Sequence, residues 1–139
     1  MKGASWNECI ENNFVIKISP DFRRAKSLIE TSEERLSIIK EINEKTCNFV
    51  FEDYYTSLLE LLQALVLIKG YKILNHVCLG FYLKDVLKKD DLYLAFDDLR
   101  FKRNFLTYYG KRMDLETCKE AIRKCKKIIN EIKELIESS

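Results

Sequence analysis

Toward the C-terminus the apolar residues fall at Leu115, Cys118, Ala121, Ile122, Cys125, Ile128, Ile129 and Ile132, recurring at intervals of three and four. That spacing puts them on one face of an α-helix, because side chains three and four apart stack along a 3.6-residue period. Charged residues take the other positions, with Glu116 and Glu120 early and Lys124, Lys126 and Lys127 later. This order complements the helix dipole, and Asp114 stands ready as the N-cap. A stripe of this length is stable only when other elements cover it.

The same signal recurs upstream. Ser19-Pro20-Asp21 reads as a helix start: Ser19 caps, Pro20 needs no N–H at the first helical position, and Asp21 meets the positive end of the dipole. Phe22, Ala25, Leu28, Ile29, Leu36, Ile39 and Ile42 continue that helix to about Asn43, with Glu30, Glu33, Glu34 and Lys40 on its polar face. A second helix, from about Glu52 to Lys69, carries Tyr55, Leu58, Leu59, Leu62, Leu65 and Val66 and is the most buried; Gly70 ends it. Asn75 caps a third through about Lys88, with Val77, Phe81 and Leu83 or Leu87 inward. Asp90 or Asp91 begins a fourth, which Gly110 ends and whose stripe is Leu92, Ala95, Phe96, Leu99, Arg103 and Leu106.

Before these helices, Phe14–Ser19 alternates briefly like a strand with no evident partner, so residues 1–19 read as an N-terminal arm, with Trp6 packing onto the helices. Four glycines and one proline among 139 residues leave little turn material and favour a few long helices over many short strands. Short connections make neighbours antiparallel. The expected fold is therefore all-α: an up-and-down antiparallel bundle of four main helices plus a shorter one, forming a single domain over residues 20–139.

Several function classes fall away. A net charge of +2 is too small to argue by itself for nucleic acid or a membrane surface. No apolar window reaches the roughly 18 residues of a membrane span, and the N-terminus has no apolar core of signal-peptide length, so the expectation is a cytoplasmic protein. Cys9, Cys47, Cys78, Cys118 and Cys125 form no CxxC, which argues against a zinc cluster; no metal or cofactor is expected, and free buried thiols are the simplest account.

One segment resists a purely architectural reading. In LRFKRNFLTYYG, Arg103 falls inside the apolar stripe of the fourth helix, and Arg100, Lys102, Arg103, Lys111 and Arg112 crowd within thirteen positions. A guanidinium in such a stripe needs a partner. It could be an internal carboxylate such as Glu52, Asp53 or Glu60, or an anionic ligand in a cleft, where its planar fork suits phosphate. Asn104, Tyr108 and Tyr109 add amide and phenol groups that can bind phosphate and stack on bases. Arg100, Arg103, Asn104, Tyr108, Tyr109 and Lys111 are thus the candidate ligand-binding residues. His76, the lone histidine, reads as structural.

The order of the pieces resembles the HEPN superfamily, the higher-eukaryote and prokaryote nucleotide-binding domains, and within it small stand-alone archaeal and bacterial members. The resemblance runs over SPDFRRAKSLIETSEERL, YYTSLLELLQALVLIKGYK, the Asn-His of KILNHVCL and LRFKRNFLTYYG. It implies a bundle that homodimerises through the face bearing the motif. It also implies a metal-independent ribonuclease motif of Arg, four to six residues, then His. Arg103 and Asn104 match the start of that motif, and Tyr108 stands where the histidine should be. A phenol with a pKa near 10 is a poor acid/base at neutral pH. If there is any activity, Arg103, Asn104 and Tyr108 would carry it as catalytic residues. The family is also partnered with minimal nucleotidyltransferases, sometimes in toxin–antitoxin pairs. Three functions follow as expectations: nucleotide or RNA binding by a homodimer, a ribonuclease with a degenerate motif, or a structural interaction protein.

Overall fold

A computed structural model describes residues 5–39 and 41–139, so the expected place of Lys40 on a polar helix face lies outside the described residues. The fold is mostly helical, with α1 (Trp6–Glu11), α2 (Phe22–Ser37), α3 (Cys47–Ile68), α4 (His76–Phe81), α5 (Asp90–Tyr109) and α6 (Leu115–Glu137). A small two-stranded sheet joins β1 (Val15–Lys17) to β2 (Tyr71–Ile73). Among the described residues no helix is long and apolar enough to cross a membrane.

Helix ends with a local cause lie where the sequence puts them. Asn75 accepts a hydrogen bond from the Cys78 N–H at 2.8 Å, and Asp114 one from the Thr117 N–H at 2.8 Å. Gly110 closes α5 in the left-handed conformation, φ 61°. Other ends move for reasons outside the local sequence. Asp21, not Ser19, caps α2, because Ile18 N–H bonds to Gly70 O and Asp21 N–H to Leu67 O, which keeps this stretch extended. Helix α2 stops at Ser37, short of Asn43. The side chain of Asn43 accepts from Lys45 and Thr46 N–H, and the Thr46 hydroxyl donates to Glu41 O. These side-chain bonds compete with helix and form the turn into α3, which starts at Cys47 rather than Glu52. Phe22, expected inside, is 64% exposed.

Helix α3 is the centre of the core, with Phe51, Tyr55, Leu58, Leu61, Leu62, Leu65 and Val66 all buried. Helix α2 lies antiparallel to it, from the Asp21–Leu67 contact at one end to buried Ser32 and Ser57 at the other. Those two hydroxyls donate to each other's carbonyl at 3.2 Å, and Arg35 forks onto Glu60 at 3.0 and 3.1 Å. Helix α6 runs the same way as α3: Asn48 exchanges two hydrogen bonds with the Met113 backbone just before α6, while Ile136 packs near Ala64 and Leu67. Helix α5 covers the remaining side.

Residues 5–17 are built into the molecule. The strand that lacked a partner pairs antiparallel with β2, Val15 opposite Ile73. The Trp6 ring is buried edge-on against Tyr71 and Tyr82, and its backbone N–H donates to Asp85. This return of α1 brings the Cys9 and Cys78 Cα atoms to 6.0 Å, and the two cysteines form a disulfide. The expectation that all five cysteines are free is corrected for this pair, whose 69-residue separation hides it from sequence reading. Cys47, Cys118 and Cys125 are free and buried; burial pushes the Cys125 thiol up to about 12, so it behaves as a small apolar group. The expected third helix also divides: after α4 the chain makes a π-helical turn over Tyr82–Val86 and leaves it at Lys88, φ 58°.

Candidate functional site

Helix α5 is apolar on two opposite sides. Leu92, Phe96 and Leu99 face the core and are buried, and half-buried Arg103 and Leu106 continue that line. On the far side Leu94, Phe101, Phe105 and Tyr108, spaced seven, four and three apart, form a second line with Tyr109 beside it, and all are exposed. The rings touch in sequence: Phe101 to Phe105 at 6.1 Å and Phe105 to Tyr109 at 5.5 Å.

This division separates the candidate residues. Arg103 lies on the inward line, as its spacing predicts, whereas Tyr108 and Tyr109 are 70% and 75% exposed on the outward one. Arg100 is half-buried at the edge, where it bonds Asp97 at 2.9 and 3.0 Å and lies 5.5 Å from the Phe101 ring. Asn104 is half-buried, and its side-chain amide has no hydrogen-bond partner among the described residues. Lys111 belongs to a different hollow of about 460 Å³, which it lines with Lys102, Phe105 and Arg112 at the turn into α6.

Arg103 has no carboxylate partner among the described residues. Glu60, one of the acids it could have reached, is taken by Arg35. The Arg103 guanidinium instead lies 5.9 Å from the centroid of the Tyr55 ring on α3. Tyr55 is buried, stacks on Phe96 at 6.2 Å, and places its hydroxyl 3.5 Å from Nδ1 of His76.

His76 and Tyr55 are therefore the residues that sequence reading missed as parts of this site. His76 is half-buried at the start of α4, oriented by the Asn75 cap. Burial first, and then the charges of Arg103 and Arg100, lower its pKa, so the imidazole is neutral at pH 7. Burial outweighs the same two arginines at Tyr55 and raises its pKa, so the phenol stays protonated. Nothing in the local sequence marks this grouping, since Tyr55, His76 and Arg103 come from three helices.

The Arg103 guanidinium and the neutral His76 imidazole thus both adjoin the Tyr55 phenol, and the field of Arg100, itself paired with Asp97, reaches them. Such a set can bind an anion and exchange a proton with it. Among the described residues no group of three or more His, Cys, Asp or Glu side chains is arranged to hold a metal ion. No family model, curated protein or solved structure matches this chain.

Proposed function

We propose that this chain is a HEPN-like up-and-down helical bundle that homodimerises and binds nucleotide or RNA in the cytoplasm, with a minimal nucleotidyltransferase in a toxin–antitoxin-type pair as its partner. One observation carries the reading: Arg103 is half-buried with no carboxylate among the described residues to neutralise it. A charge so placed costs free energy in the folded protein, and a phosphate group would recover it. The exposed line of Leu94, Phe101, Phe105 and Tyr108 supports the homodimer, because a second copy would bury it. Asp90, Asp91, Asp97 and Asp98 lie in the first half of α5, whereas Arg100, Lys102 and Arg103 lie in the second. Two such helices crossing antiparallel on a two-fold axis would set acids against bases. In a reducing cytoplasm the Cys9–Cys78 bond would rely on its burial, 0% and 1% exposed, to exclude thiols.

A second reading has its own observation. Arg103 over the Tyr55 ring ties α5 to α3, as a structural clasp would. The ribonuclease reading with Tyr108 has less support, because Tyr108 is five positions from Arg103 and on the opposite side of α5.

Wild type and Arg103→Ala, mixed with labelled single-stranded RNA and with ATP at low and moderate salt, distinguish these readings. Binding lost in the variant, with dimer mass and melting temperature unchanged, is the expected result. Absence of binding by wild type would overturn the proposal. A variant that melts early or dissociates would leave the clasp standing.

A further inference from the structure

We infer that Arg103 and His76 together form a subsite for a phosphate dianion, in which Tyr55 is the positioning residue that orients the imidazole. The inference rests on the binding role proposed for Arg103 and adds a second helix, a ligand class and a proton to it.

The Tyr55 hydroxyl is buried on α3, and among the described residues its one side-chain neighbour within hydrogen-bonding reach is Nδ1 of His76 at 3.5 Å, the long end of the range. The inferred arrangement has the protonated phenol donate to Nδ1 of the neutral imidazole, which places the ring proton on Nε2. Nε2 has no hydrogen-bond partner among the described residues. The same phenol ring that meets His76 at one edge, centroids 6.1 Å apart, carries the Arg103 guanidinium 5.9 Å from its centroid. Two sets of unspent donors, a guanidinium fork and an imidazole N–H, therefore border one aromatic ring. Both match phosphate oxygens.

Charge counting selects the kind of phosphate. The titratable groups facing this cluster are Tyr55 on α3, Asp97, Arg100 and Arg103 on α5, and Cys125 on α6. Asp97 offsets Arg100 through their ion pair, and Tyr55 and Cys125 are neutral, so among the described residues Arg103 contributes the one uncompensated charge of this cluster. A phosphodiester, with charge −1, balances it. A phosphate monoester, with charge −2, leaves one negative charge beside His76 and draws a proton onto the ring. The phenol accommodates either state by rotating its hydroxyl from donor to acceptor. Binding of a dianion is therefore linked to uptake of one proton at His76, and binding of a diester is not.

His76 is the only histidine in the chain, so ¹⁵N-histidine labelling of the full-length protein gives a single imidazole to follow by NMR. Its titration midpoint would be measured alone and with inorganic phosphate, AMP, the diester UpU, and RNA with a 5′-phosphate or a 5′-hydroxyl. Alone, it should lie below about 6.5 with the proton on Nε2. Phosphate, AMP or 5′-phosphorylated RNA should raise it by about one pH unit or more, and UpU and 5′-hydroxyl RNA should not. The arms that act separate a free-phosphate site from a nucleotide site and from an RNA-end site. Arg103→Met should abolish the rise and, without ligand, move the midpoint upward; Tyr55→Phe should weaken the tautomer preference. A midpoint unmoved by inorganic phosphate and by every monoester alike, or moved equally by UpU, overturns the inference. If RNA binding still depends on Arg103, that failure leaves the proposed function intact. If no nucleotide or RNA binds but inorganic phosphate shifts His76, the proposed function fails and the subsite stands.

Discussion

Replacing Cys9 and Cys78 together by alanine, or reducing their bond, removes a cross-link between residues 69 positions apart. On the chain-entropy account a loop of that length restricts the unfolded chain by about 4 kcal/mol at 25 °C. The folded state should change little, because α1 keeps Trp6 between Tyr71 and Tyr82, the Trp6 bond to Asp85, and the pairing of β1 with β2. With 139 residues each gaining about 2 cal/mol/K on unfolding, the loss should lower the melting temperature by roughly 15 °C. Calorimetry with and without reductant reads the shift. A thiol titration in denaturant supplies the control: three free thiols before reduction and five after. Five thiols before reduction would refute the Cys9–Cys78 bond. An intact bond whose loss moves the melt by less than about 3 °C would refute the entropic reasoning.

Two further outcomes follow from single contacts. Phe105→Asp puts a charge in the middle of the exposed aromatic line of α5; if the proposed homodimer forms through that line, light scattering should show wild type as a dimer and the variant as a monomer with unchanged circular dichroism, and a variant that stays dimeric would place the interface elsewhere. At Asp98 burial alone would raise the carboxyl, but hydrogen bonds from the Lys102 and Lys124 ammonium groups hold it below its ordinary value near 3.8. Its folded pKa is depressed, so its contribution to stability is fully present above the ordinary value near 3.8 and is lost as the pH falls from there through the lower folded value. The stability gap between wild type and Asp98→Asn in urea should therefore be open at neutral pH and close below about pH 4; a gap independent of pH would refute the assignment.

The legible parts of this protein are those whose cause lies within three or four residues. Asn75, Asp114 and Gly110 terminate helices through bonds or dihedrals their own side chains determine, and the stripe of α6 follows from its spacing alone. The same locality shows that Arg103 falls on the inward line of α5. It could not show that α2 starts at Asp21, because backbone bonds to Leu67 and Gly70 hold the chain extended there.

By itself the sequence determined a mostly helical chain, the caps of its later helices and the misplaced arginine. Only the tertiary structure decided what surrounds that arginine. Tyr55, His76 and Arg103 meet because α3, α4 and α5 pack together, just as Cys9 meets Cys78 because β1 returns along β2. It also decided that α5 has a second, uncovered apolar side, since whether a residue is covered depends on where its neighbours lie. The physical reason is common to all of these. Periodicity and capping are short-range properties of a chain, whereas pairing, burial and the potential at a titrating group depend on residues brought close from far along it.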